Sequence, residues 1–151
     1  RRLITSEIRA IAPHYRRVGV NATLHLSCEA EGEQVLQLAR ARLDAFFDPL
    51  EGGPDGSGWR FGRTVYRSEV MALLVDVPGV ARVAALTLSD AYDGAGNVSC
   101  CGSSNRPGGG RCDNIELCTH ELVMPGRHLL TVESDIARNL RRSDAHECES
   151  A

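Results

Sequence analysis

From residue 18 onward, apolar side chains fall on alternate positions: Val18, Val20, Ala22, Leu24, Leu26 and Cys28. Gly19, Asn21, Thr23, His25 and Ser27 lie between them. A period of two puts each set on its own face, so the segment predicts a strand with one buried side. The period then becomes helical. Over 33–48, Val35, Leu36, Ala39, Leu43, Phe46 and Phe47 gather on one side, with Arg40, Arg42 and Asp44 mostly opposite, and Pro49 ends the run. A second, shorter helix is expected from Ser68, read as its N-cap, with Glu69 in the first turn. Its Val70, Leu73, Leu74 and Val77 share one face, and Pro78-Gly79 stops it.

The remaining segments are weaker. Glu7 to Ala12 reads as a strand closed by Pro13. Val80 to Ser89 reads as another, with Ala84, Leu86 and Leu88 on one face. Residues 90–114 are rich in Gly, Ser, Asn and Cys and predict a long surface loop. Short extended pieces follow at 115–117 and 122–123, and Gly126 turns the chain into a last strand, His128 to Glu133. The expected fold is α+β: a two-layer α/β sandwich in which two helices pack on a small mixed sheet, with a long Cys/Gly-rich loop. One domain would span 1–133, with a loop insertion at 91–114 and a charged tail, 134–151, partly helical or engaged with a partner. Val20, Ala22, Leu24 and Leu26 should meet Leu43, Phe46 or Phe47, Leu73 and Leu74 in the core.

Composition narrows the function. The chain has 151 residues and a net charge of −3, too mild to imply a nucleic acid or an anionic membrane as partner. No apolar run approaches the roughly 20 residues that span a bilayer. Its opening, Arg1 to Thr5, lacks the apolar region of a signal peptide, and position 1 is not Met; a fragment of a longer polypeptide is the expectation. All 17 basic residues are Arg. Without Lys, Schiff-base catalysis and a P-loop lysine are excluded, whereas Arg suits bidentate contacts between subunits.

Of the six cysteines, Cys100, Cys101, Cys112 and Cys118 lie in or beside the loop region with His120, while His146 and Cys148 lie in the tail. A small metal- or ligand-binding regulatory domain using Cys112, Cys118 and His120 is therefore an alternative, although five residues separate the two thiols and strong zinc pairs are closer. Cys28 continues the buried face of its strand and reads as a small core hydrophobe. No G-x-S-x-G or comparable nucleophile motif occurs, and the scattered histidines read as satisfied or solvated. Nothing in the chain predicts an enzyme or a bound cofactor.

Several motifs occur in order: Phe47-Asp48-Pro49-Leu50-Glu51-Gly52-Gly53, Gly58-Trp59-Arg60-Phe61-Gly62-Arg63, Val65-Tyr66-Arg67-Ser68-Glu69-Val70 and Val77-Pro78-Gly79-Val80. Pro13-His14-Tyr15 precedes them, and Leu122-Val123 and Gly126-Arg127-His128 follow. This succession resembles the C-terminal part of baseplate J-like proteins, the putative baseplate assembly (wedge) proteins of contractile phage tails and extracellular contractile injection systems. The resemblance covers most of residues 4–133; the Cys-rich loop departs from the family's compact pattern. It implies a non-catalytic component of the ring around the tail hub, coupling hub to sheath. The implied partners are other baseplate proteins (wedge partners, hub and sheath-initiating subunits) and copies of the chain, with no nucleic acid and no direct membrane insertion. The implied location is a phage tail or tail-like particle assembled in the bacterial cytoplasm.

Interface candidates are Trp59, Arg60, Arg63, Tyr66, Ile136, Leu140, Arg141 and Arg142, since Trp and Arg are favoured anchors and a helix over 134–142 would leave Ile136 and Leu140 uncovered. For the Gly-flanked loop two readings stand. Trp59, Arg60 and Arg63 contact a neighbour, or they pack internally and fix the loop; internal packing is the expectation for Trp59 and Phe61.

Overall fold

In a computed structural model of the chain, residues 12–27, 30–92 and 114–133 are described. The expected strand at 7–12 (except Ala12, which lies in no strand), Cys28, most of the Cys-rich loop and the tail lie outside them. The alternating segment forms β1 (His14–Leu26), the central strand of a mixed sheet. Antiparallel β3 (Val80–Tyr92) runs along one edge. Along the other edge, β5 (Glu121–Pro125) and then β6 (Leu129–Glu133) pair in succession, both parallel to β1. A separate two-stranded sheet joins β2 (Val65–Tyr66) to β4 (Asn114–Ile115).

Two helices, α1 (Gly32–Phe46) and α2 (Arg67–Val75), pack on the mixed sheet, which gives the α+β, two-layer arrangement. Val18, Val20, Ala22 and Leu24 of β1 are buried together with Val35, Ala39, Leu43 and Phe46 of α1, Phe47 just after it, and Val70 and Leu74 of α2. Leu26 and Leu73 are only partly buried at the margin of this core.

Four expectations need correction. Ala84 does not share a face with Leu86 and Leu88: it is exposed, because Thr23 pairs with Ala85 and Leu24 with Val83, so Ala84 is a bulged extra residue. The bulge shifts the alternation, and Val83 packs toward the core in its place. β3 also continues to Tyr92, past the expected loop start. Ser68 is not an N-cap but lies inside α2, which leaves β2 directly at Arg67. The amide of Arg67 donates instead to Asn114 Oδ1 at 3.1 Å, so the cap arrives from β4 across the second sheet. Lastly, His25 is 5% exposed on the face read as polar, with Nε2 3.3 Å from Glu133.

The last strand is also broken. Val18 pairs with Pro125 and Asn21 with Leu129, so two residues of β1 face three between β5 and β6. Gly126 still donates to the Val18 carbonyl at 2.9 Å. The Val20 amide, left without a carbonyl, donates to His128 Nδ1 at 3.2 Å.

Candidate protein interface

The glycine-rich loop after α1 is built on the end of that helix. Helices leave their last carbonyls without intrahelical partners. Here the Phe46 carbonyl accepts from Gly53 N at 2.7 Å and from Trp59 Nε1 at 2.7 Å. Asp48 Oδ1 accepts from the amides of Leu50 (2.8 Å) and Glu51 (2.9 Å), closing the first turn. The bonds to Glu51 and then Leu50 hold the Asp48 carboxyl below its ordinary value. Gly58, at φ +87°, returns the chain to the start: a Cβ there would lie 2.5 Å from the Leu50 carbonyl oxygen. Glycine is needed for the sign of φ and for the close approach.

The middle of the loop is pinned by Trp59. Its ring meets Phe46 edge-on at 5.4 Å and stacks on Phe47 at 6.2 Å. The Arg63 guanidinium covers it at 5.1 Å from the ring centroid and grips Glu69 of α2 with two hydrogen bonds, 2.6 and 3.1 Å. That grip raises the Arg63 pKa further, with burial opposing. Trp59 and Arg63 therefore belong to the loop's own frame.

The far end of the loop rests on a buried carboxylate. Gly62 N donates to the Glu121 carbonyl at 3.1 Å. The Glu121 side chain is 1% exposed. One Arg16 nitrogen, Nη2, donates to both of its carboxylate oxygens, at 2.9 and 3.1 Å, and the Cys118 amide donates a third bond at 2.8 Å. Neither Arg16 nor Glu121 was singled out by motif. The available signal was a carboxylate set against the apolar run Leu122-Val123, which burial obliges to find a cation.

What remains outside is distinct. Arg60 is exposed, Phe61 is 57% exposed, Leu50 80% and Tyr66 45%. Phe61 thus departs from the expected internal packing, because Gly62 turns the chain back toward Glu121 directly after it. Leu50, Arg60, Phe61 and Tyr66 are exposed along the 50–66 segment, as are Glu51 and Asp55, on a hydrogen-bonded support. Ile136, Leu140, Arg141 and Arg142 lie outside the described residues.

Two members of the alternative ligand set, Cys118 and His120, lie within the described residues. The Cys118 thiol is buried, its residue 3% exposed. His120 is half-buried and meets His14 edge-on at 5.3 Å. Cys112 lies outside the described residues. Among the described residues, no three His, Cys, Asp or Glu side chains converge as metal ligands, and no helix is long and apolar enough to cross a membrane. No protein-family model matches the chain, and no curated protein matches it.

Proposed function

We propose that this chain is a structural building block of the baseplate of a contractile tail or injection particle, a wedge-type component that works through protein–protein contacts and performs no catalysis. The ordered motifs at 47–53, 58–63, 65–70 and 77–80 support the reading. One observation carries it: Trp59 and Arg63 turn inward to support the segment, while Leu50, Arg60, Phe61 and Tyr66 remain outside. A surface already ordered by its own hydrogen bonds loses little conformational freedom when a partner docks. Aromatic side chains and Arg are also enriched in the centres of protein interfaces.

On this reading the partners are other baseplate proteins and further copies of the chain, within a tail particle assembled in the bacterial cytoplasm. Arg60 would meet a carboxylate on a neighbour, giving specificity more than affinity. Ile136, Leu140, Arg141 and Arg142 would supply a second contact. Obligate assemblies typically bury more than about 2,000 Å² in total, so several neighbours would share the surface. The test is incorporation into particles of a variant carrying Leu50→Asp and Phe61→Asp, shown by circular dichroism to be folded. Loss of incorporation is the expected result. Normal assembly of that variant would remove the role given to the loop, and absence of the wild-type chain from purified particles would overturn the reading itself.

A further inference from the structure

We propose that His128 is a proton-sensitive latch between the sheet and the aromatic seat of the glycine loop, closed only while its imidazole is neutral. The latch is independent of what the loop binds. It sits where β5 breaks off and β6 has yet to begin, and it takes the place of a missing backbone carbonyl.

Val20 N donates to Nδ1 at 3.2 Å. A ring nitrogen accepts only when it carries no proton, so the neutral ring must hold its hydrogen on Nε2. The side chain is 4% exposed, and Nε2 lies 3.4 Å from Asp44 Oδ1, within ion-pair distance but without hydrogen-bond geometry. The ring also stacks on Phe47 at 5.8 Å, and Phe47 stacks on Trp59 at 6.2 Å. One imidazole therefore touches the central strand, the end of α1 and the aromatic cluster under the loop.

Protonation would place an N–H on Nδ1 directly opposite the Val20 N–H. Two donors cannot share that line, so the ring must turn or the Val20 amide must lose its acceptor. Among the described residues, few groups face the ring. From α1 it meets the Asp44 carboxylate, from β1 a backbone amide and from the 47 position an aromatic ring; the neighbouring Arg127 is exposed. Asp44 favours the charged ring, but its side chain is 60% exposed and water weakens its pull. Burial prevails and holds the imidazole below its ordinary value of 6.5, with Asp44 opposing.

The test is an NMR titration of the full chain from about pH 8 to pH 5, the range over which histidine changes charge. It follows the His128 ring nitrogens and the exchange of the backbone amides. At the upper end the ring should be the Nε2–H tautomer with a protected Val20 amide. As the ring takes its proton, Val20 protection should fall at least ~tenfold while amides elsewhere in β1 keep theirs. His128→Asn retains an acceptor near the Nδ1 position that cannot be protonated, and its Val20 protection should not change with pH. An Nδ1–H tautomer, unchanged Val20 protection through ring protonation, or an equal fall at every β1 amide would overturn the latch. The wild-type measurements decide the matter alone if the variant does not fold.

Discussion

Along one edge of β1, β3 absorbs two extra residues, Ala81 and Ala84, as bulges, and the antiparallel ladder resumes after each. Along the other edge the parallel partner stops at Pro125 and resumes at Leu129, and a side chain bridges the gap. The first edge answers a mismatch of length with small side chains turned to solvent. The second answers it with polar groups that are buried: Glu121 with Arg16 at the start of the strand, and His128 at the break. A buried polar group is stable only with its partners in place, whereas a solvent-facing alanine asks for none. The two edges should therefore differ sharply in their tolerance of substitution.

Glu121→Ala gives the largest expected effect, a loss of about 3–5 kcal/mol, because it strands Arg16 at a mostly buried position. Urea denaturation would measure it. Replacing Arg16 and Glu121 together by methionine should cost clearly less than the sum of the single changes, and strict additivity would show that the two side chains are not coupled. Leu24→Ala, at the centre of β1, should cost about 2–5 kcal/mol, since the side chain is fully buried and a cavity would remain. It serves as the reference for both edges.

How far the sequence discloses these differences depends on the range of the signal. The period-two run at 18–26 and the helical spacing at 35–47 are local patterns, and they place β1, α1 and most of the core. β5 and β6 have no such pattern. They pair with a strand more than 100 residues earlier, so Arg16 and Glu121 become neighbours only once the sheet closes. Ala84 misleads because a bulge shifts the period without leaving a trace in composition. Asn114 is equally silent as a helix cap, since it reaches Arg67 across the second sheet. In the loop, Trp59 and Phe61 look alike in the sequence; the turn at Gly62 sends one inward and the other out.

Two smaller changes sharpen the contrast. Gly126→Ala, at the break, would place a Cβ 2.8 Å from the Val18 carbonyl carbon and oxygen. Backbone must shift to admit it, at a cost of about 1–3 kcal/mol in the same unfolding assay. Ala84→Ser, on the bulge of the opposite edge, should change stability by less than about 0.5 kcal/mol, as an exposed site without partners does. A large loss there would mean that the first edge is not open to solvent.

The claim that the outer side of the 50–66 segment meets another subunit is tested most directly at Phe61. A photo-crosslinking amino acid at that position, activated in intact tail particles, reports its neighbour by mass spectrometry. The account predicts cross-links to another baseplate protein or to a second copy of the chain. Particles that contain the chain but yield cross-links only within a single molecule would contradict it.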